Sequence, residues 1–156
     1  MRRRRADEGR KGTALLETVL LVAAFLTLVL GAIDLGVAVL RQHVLSEAAR
    51  QGVRQAIVHG QLAPAGWKGG PWGTSTYGPV AATDSDPKAQ AIAPYLGGMD
   101  PSAVQVTMTW LDNSNAVEKD YRVQVTLTTT WTPLMGFIFG YRSVTLTGAS
   151  TMQIAH

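Results

Sequence analysis

The chain has 156 residues, a formal net charge of +3 and no cysteine. This length is enough for one modest domain and a further segment. The lack of cysteine excludes disulfide frameworks, thiol catalysis and cysteine-ligated metal sites, so packing alone has to stabilise the folded part.

The positive charge is concentrated at the N-terminus. Residues 2–11 hold six of the fourteen basic residues and two of the eleven acidic residues, which leaves eight basic and nine acidic residues for the rest. A nucleic-acid-binding protein usually carries its basic residues on a folded surface. Here they form a tail beside an apolar segment, so the pattern indicates membrane topology and argues against nucleic acid as a partner.

An apolar segment follows this tail. Residues 18–33 contain no charge, and the apolar character continues to Leu40. As a helix, residues 13–40 would reach about 42 Å, which exceeds a hydrocarbon core of about 30 Å. The four consecutive arginines at residues 2–5 predict a cytoplasmic N-terminus and an exported C-terminal part.

Three interpretations of the apolar segment are open. It is a secretory signal peptide cut after Ala38, which would release a soluble protein; a plain single-span anchor; or a helix that is retained after its basic leader is removed. Residues 41–60 continue at helical spacing with one small apolar face, formed by Val44, Leu45, Ala48, Ala49, Gly52, Val53, Ala56 and Ile57. Because signal peptides end in a loose cleavage region, this continuity favours one retained helix over residues 13–60.

The start of the helix carries a family resemblance. Gly12 is followed five residues later by Glu17, and the helix continues as "ALLETVLLVAAFLTLVLGAIDLGVAVLRQHVLSEAARQGVRQA". The first feature resembles the prepilin peptidase site of type IV pilins. The continuation over residues 12–57 is similar to the TadE-like family, the pseudopilins of tight-adherence (Flp-type) pili. Thr18 stands where major Flp pilins usually have an aromatic residue, which favours a minor pilin-like component.

The resemblance implies a processing and assembly signal. A prepilin peptidase would remove residues 1–12, the basic cytoplasmic leader, and give Thr13 a free amine that pairs with the Glu17 carboxylate. A carboxylate in low dielectric costs several kcal/mol unless it is paired. The implied location is the inner (cytoplasmic) membrane, and the implied partners are the peptidase and other pilin-like or secretion-system membrane proteins. Alternatively, Gly12 and Glu17 are ordinary interface residues.

Two further features of the span bear on assembly. Ala32 and Gly36 form a small-xxx-small pair that allows close helix packing. Asp34 lies about 32 Å along the helix from Thr13, near the exported interface. We expect Asp34 to be an interfacial charge rather than a buried assembly contact.

Residues 61–85 are rich in Gly and Pro and are predicted to form a loop. Its aromatic residues, Trp67, Trp72 and Tyr77, are expected to fold back onto the domain. The alternative is that they bind a ligand. The chain would then be a membrane-tethered extracytoplasmic binding module with no filament role.

Residues 86–156 are predicted to hold a short helix and an antiparallel sheet. Asp86 and Pro87 are typical of a helix start, for a helix that extends to Leu96. Period-two alternation then predicts three strands, with apolar positions at Val104 to Trp110, Tyr121 to Trp131 and Val144 to Ile154. The connection at residues 132–142, "TPLMGFIFGYR", is too apolar for an exposed loop and is expected to cover the core or to contact the membrane or a partner. The predicted fold is α+β and pilin-like, with the amphipathic half of the long helix on one face of the sheet.

The sequence does not indicate an enzyme. His43 and Glu47 are four residues apart, but no third metal ligand accompanies them. The exported part has no nucleophile motif and no phosphate-binding glycine loop. We therefore expect no catalytic residues, cofactor, metal or small-molecule substrate.

Overall fold

The structure is a computed structural model that describes residues 4–65, 70–114, 121–136, 140 and 142–155, with side chains from residue 12 onward. Its first element is the helix α1 (Arg4–Ile57), which is 54 residues long. No proline interrupts this stretch, and the strong helix formers Leu and Ala are frequent in it. The helix therefore begins inside the segment predicted as a leader and ends shortly before residue 60.

A four-stranded antiparallel sheet follows. Its strands are β1 (Tyr77–Ala81), β2 (Val104–Trp110), β3 (Arg122–Trp131) and β4 (Val144–Gln153). They pair in chain order, so β1 and β4 are the two edges. The predicted α+β class and the three period-two strands are confirmed. The count of three is wrong by one, because β1 lies in the stretch predicted as a loop.

Two residues that normally interrupt strands explain why β1 was missed. Pro79 lacks a donor for sheet pairing, but an edge strand tolerates it. Gly78 has a φ of +90°, and a Cβ there would collide with the carbonyl oxygen of Val106. Glycine is therefore required where β1 passes β2 most closely.

The core lies between one face of the sheet and the C-terminal part of α1. Alternate residues of β2 and β3 are buried, and α1 packs on β3 and β4 as predicted. The buried apolar residues of α1 are Leu45, Ala48, Ala49, Val53 and Ala56. Ile92 and Leu96 complete the core.

The connection between β1 and β2 contains three short helical elements, and the last of them is a 3-10 turn at Pro101–Ala103, directly before β2. The helix α2 (Pro87–Gln90) begins at Asp86, whose carboxylate accepts a hydrogen bond from the Lys88 N–H at 2.9 Å. A 3-10 turn follows at Ala93–Tyr95. The start of the predicted helix is confirmed, and the α-helix ends at Gln90, four residues before Pro94, which lacks the N–H that a further α-helical turn would use.

Helix α1 and strand β4 run side by side in the same direction. Three successive contacts join them: Gln42 Nε2 donates to Thr147 O at 2.6 Å, Leu45 backbone faces Gly148, and Ala155 N donates to Ile57 O at 3.2 Å. The first residues of β4 therefore point back along α1 toward its N-terminal half. The last residues of β3, which pair with them, lie at the same end of the sheet.

Candidate functional site

The N-terminal half of α1 has an apolar surface that the rest of the described chain leaves uncovered. The exposed large apolar side chains are Leu15, Leu16, Val19, Leu20, Leu21, Val22, Phe25, Leu26, Leu28, Leu30, Ile33, Leu35, Val37, Val39 and Leu40. Within Gly12–Ile57, α1 is long and apolar enough to cross a membrane. Residues 13–33 alone would be about 31 Å long, close to the thickness of a hydrocarbon core.

The threonines of this surface satisfy their hydroxyls within the helix. Thr18 Oγ1 donates to Ala14 O at 2.9 Å, and Thr27 Oγ1 donates to Ala23 O at 2.8 Å. A hydroxyl that is bonded to the carbonyl four residues earlier needs no water. These polar residues are therefore compatible with apolar surroundings.

The predicted processing and assembly residues lie at the start of this surface. Gly12, Thr13 and Glu17 are all exposed on α1. A Cβ added at Gly12 would meet nothing within 4 Å. Thr13 and Glu17 are four residues apart, so they lie on the same side of the helix.

Asp34 lies within the C-terminal part of the exposed surface, but its own side chain is covered. Its side chain is buried at 7% exposure. Its carboxylate accepts hydrogen bonds from the backbone N–H groups of Leu134, at 3.0 Å, and Met135, at 2.7 Å. Asp34 is therefore not an exposed charge, because residues 133–136, at the start of the connection between β3 and β4, fold over it and cover it.

An apolar groove of about 200 Å³ lies beside this contact. It runs between α1 and the end of β3, and its lining is Gly31, Asp34, Leu35, Ala38, Trp131, Pro133, Met135 and Gly136. Leu35 also belongs to the exposed surface of α1, and Gly31 is half-buried beside it. The groove is therefore continuous with that surface. We call Asp34 and residues 133–136 the junction.

Comparison with known proteins assigns the helix. Residues 12–54 match the family model described as TadE-like protein. This part of the chain is therefore similar to a TadE-like domain, and we refer to it by that name. No curated protein and no solved structure matches the chain. The matched residues include the exposed apolar surface and Asp34, whereas all four strands lie outside them.

The predicted helix-packing pair of the TadE-like domain is available to a partner. Ala32 and Gly36 are exposed on α1, and a Cβ added at Gly36 would meet nothing within 4 Å. The sheet does not use this pair. Its role in helix packing stays a prediction.

The only histidine of the TadE-like domain, His43, has no metal-like surroundings in the described structure. His43 and Glu47 are exposed. Glu47 contacts Arg50 at 3.7 Å and accepts from Gln51 Nε2 at 2.7 Å. Among the described residues, no three His, Cys, Asp or Glu side chains form a group able to hold a metal ion.

The aromatic residues after the TadE-like domain take part in packing. The rings of Trp72 and His59 stack with centroids 4.3 Å apart, and Trp72 N donates to His59 O at 2.9 Å. Tyr77 is half-buried, and burial, followed by the nearby Asp86 and Asp84 carboxylates, raises its pKa above the ordinary value of 10.0. The inward folding of these two side chains is confirmed. Trp67 lies outside the described residues.

The aromatic stack borders an open pocket at the far end of α1 from the span. The pocket has a volume of about 410 Å³ and is lined by Gln55, His59, Trp72, Pro87, Gln90 and Ala91. Because Trp72 is buried and Tyr77 half-buried, neither presents a free ring face of the kind a ligand-binding loop would need. In the described part of the loop, the packing of Trp72 and Tyr77 therefore does not support the tethered binding module.

Sequence reasoning missed the junction. Asp34 and Leu134 are 100 residues apart in the chain, so helical periodicity cannot connect them. The available signal was the unusual apolarity of residues 132–142, which predicted a contact for that connection. Residues 137–139 and 141 of it lie outside the described residues.

Proposed function

We propose that this chain is a membrane-anchored minor pseudopilin that takes part in assembling a tight-adherence (Flp-type) pilus or a related secretion apparatus. One observation carries the proposal: the TadE-like match covers the whole part of α1 whose apolar surface is left exposed, together with most of the half that packs on the sheet. A TadE-like domain on an N-terminal apolar helix fits a membrane-anchored, pilus-associated protein. The proposal assigns the chain no catalytic step and no cofactor.

The proposed location is the inner membrane. The basic residues between positions 2 and 11 would stay in the cytoplasm. The span would begin near Thr13, and the sheet would then lie outside the cytoplasm. Asp34 supports this arrangement, because the folded domain first contacts α1 at the point where a span of this length ends.

The proposed mechanism is lateral packing of α1 with other pilin-like helices. The exposed Ala32 and Gly36 would let a neighbouring backbone approach closely. Glu17 would be paired by the amine that a prepilin peptidase releases at Thr13, either in the same chain or in a neighbour. This pairing would offset the cost of placing a carboxylate at the edge of the hydrocarbon.

Processing is tested by the mass of the mature N-terminus. The full chain is expressed with an active prepilin peptidase, extracted from the membrane and measured by intact mass spectrometry. We expect a mature chain that begins at Thr13, and we expect Gly12→Val to retain the leader. Gly9→Val is the matched control, because it places the same side chain on a glycine of the same leader and should be processed normally. Intact leader on the parent chain would refute the processing step.

The pairing is tested by Glu17→Ala. We expect this variant to insert into the membrane normally but to cross-link poorly to other pilin-like proteins and to assemble fewer filaments. Glu47→Ala is the control, since it removes another exposed carboxylate of α1 outside the proposed span. Equal assembly by Glu17→Ala and the parent would defeat the role of Glu17.

A further inference from the structure

We propose that the turn at residues 133–136 is a second membrane contact, which Asp34 holds against α1 so that the side chain of Leu134 enters the lipid headgroup zone. The proposal rests on the membrane anchoring proposed above. It adds that the folded domain is seated on the bilayer surface in one orientation, rather than held away from it by the helix alone.

The position of the turn along α1 is the first argument. Glu17 and Asp34 are 17 residues apart, which corresponds to about 26 Å of helix, somewhat less than a hydrocarbon core of about 30 Å. If Glu17 lies at one boundary of the hydrocarbon core, Asp34 lies within about 4 Å of the opposite boundary, on its hydrocarbon side. The hydrogen bonds from Leu134 and Met135 to Asp34 then place the turn at the same level.

The orientation of the sheet is the second argument. Strand β4 runs in the same direction as α1, so its first residue, Val144, lies at the end of the sheet nearest the span. The last residue of β3, Trp131, pairs with Val144. Residues 132–136, which follow the end of β3, therefore lie on the side of the sheet that faces the bilayer in the proposed topology.

The chemistry of the hydrogen bonds is the third argument. Irregular backbone at membrane depth is unfavourable unless its polar groups are satisfied within the protein. A carboxylate at that depth is also costly unless it is bonded. In the junction, two backbone N–H groups and the Asp34 carboxylate satisfy each other. This pairing is what a turn close to hydrocarbon requires.

The exposed side chains of the junction are the fourth argument. Leu134 is 71% exposed although Met135, beside it, is buried against α1. Leu35 is 67% exposed on the same level of the helix, and Val144 is exposed nearby. Arg142 is also exposed at this end of the sheet. Exposed apolar side chains at the same end of the sheet as an exposed arginine suit the boundary between acyl chains and phosphate groups.

The groove beside the junction indicates a lipid rather than a protein occupant. Its lining is almost wholly apolar, and it opens from the surface of α1 that faces the hydrocarbon in the proposed topology. The groove thus continues a lipid-facing surface past Asp34. An acyl chain next to Leu35 would pass directly into it.

Site-specific fluorescence tests the proposal on the full chain. The chain has no cysteine, so one introduced cysteine carries one environment-sensitive probe. The probe is placed by Leu134→Cys, by Leu26→Cys within the span, and by Gln153→Cys at the far end of β4. Each protein is reconstituted in phosphatidylcholine and phosphatidylglycerol vesicles, with nitroxide-labelled lipids as quenchers.

The inference predicts a graded result. The Leu134 probe should lose about half or more of its emission to a nitroxide near the headgroup. The Leu26 probe should be quenched by a nitroxide deep in the acyl chains, and the Gln153 probe by neither. Adding Asp34→Asn should reduce quenching of the Leu134 probe and leave the Leu26 probe unchanged.

The other outcomes separate this inference from the proposed anchoring. An unquenched Leu134 probe beside a quenched Leu26 probe would overturn the membrane contact and leave the anchor standing. If the Leu26 probe is also unquenched, the proposed anchoring fails together with the inference. A Leu134 probe shielded from aqueous iodide but not quenched by lipid would show that protein covers the turn, which overturns the inference. Unchanged quenching after Asp34→Asn would overturn the positioning role of Asp34.

Discussion

The two halves of α1 are built for different surroundings. Residues 13–33 expose large apolar side chains around the helix and contain one charge, Glu17. Residues 44–57 bury one apolar face against the sheet and carry Glu47, Arg50 and Arg54 on exposed positions. The first half suits a uniformly apolar environment, and the second suits a boundary between water and a protein core. The contrast shows that the pattern of buried and exposed residues, rather than the apolar content, distinguishes a helix suited to uniformly apolar surroundings from one that packs on a protein core.

Residue size differs between the halves as well. The half on the sheet uses small residues at its contact positions, among them Ala48, Ala49 and Gly52. On β4, Gly148 faces the backbone of Leu45 and Ser46 and lets the two backbones approach closely, and a Cβ there would lie 2.5 Å from Leu45 C. The first half instead presents Leu, Val and Phe, which maximise apolar area.

The largest expected effect is a difference in the free energy of unfolding between two variants, in each of which one leucine of one half of α1 is replaced by alanine. Leu45 is fully buried, whereas Leu35 is 67% exposed. Leu45→Ala should lower the free energy of unfolding of the domain by about 2–5 kcal/mol, because it leaves a cavity in the core. Leu35→Ala should leave that free energy nearly unchanged. Thermal unfolding in detergent, followed by far-ultraviolet circular dichroism, measures the stability of both variants. Equal losses of stability would contradict the described difference between the two halves of α1.

A smaller but clear effect is expected at the close contact with β4. Gly148→Ala should cost roughly 1–3 kcal/mol, since the new Cβ would force α1 and β4 apart. Ala149→Val, at an exposed neighbouring position, is the matched control and should change the melting temperature little. If Gly148→Ala is as stable as the parent, the two backbones are not as close as described.

Replacing Asp34 in the junction should destabilise the turn at residues 133–136 without affecting distant parts of the domain. Asp34→Ala removes the acceptor of two backbone N–H groups, which costs about 1–3 kcal/mol for each group left buried without a partner. Hydrogen exchange should speed up at the amides of Leu134 and Met135. Asp112→Ala is the control: it removes the carboxylate that accepts from Arg122 N at 3.0 Å and should leave those two amides unchanged. Unaltered exchange in Asp34→Ala would contradict the described contact.

The smallest effect concerns pH and a loop remote from the span. Hydrogen bonds from the Ser102 side chain and then its backbone N–H lower the pKa of Asp100 below its ordinary value of 3.8. The stabilisation is therefore complete above the unfolded pKa and is lost as the pH falls through the lower folded pKa. Ser102→Ala should weaken this acid dependence slightly, in detergent and in vesicles alike, as melting curves below pH 4 would show. An identical acid dependence in the variant would exclude the side-chain contribution.

The helix and most of the sheet could be predicted because their signals are local. The apolar face of residues 44–57 recurs at helical spacing, and the alternation in β2, β3 and β4 has a period of two. Strand β1 could not be predicted, because Gly78 and Pro79 conceal its alternation. Its pairing with β2 depends on a close approach that only the folded sheet shows.

The candidate site divides in the same way. Gly12, Thr13 and Glu17 were predicted from a resemblance to a prepilin peptidase site, and the TadE-like match covers these positions, while their roles stay predictions. The junction could not be derived, since it joins Asp34 to a turn 100 residues later. A charged residue at a helix exit is compatible with solvent exposure or with a long-range contact, and only the fold distinguishes them.

The division of α1 is tested most directly by its reactivity along the whole helix. Single cysteines introduced from residue 13 to residue 57 are treated with a water-soluble maleimide in sealed vesicles that expose the sheet. We predict an unbroken block of protection up to about residue 33, and then labelling that alternates with the 3.6-residue helical period. In the second zone, positions 47, 50 and 54 should react while positions 48, 49 and 53 should not. Alternation that begins before Asp34 would contradict the account, because water would then reach one side of the proposed span.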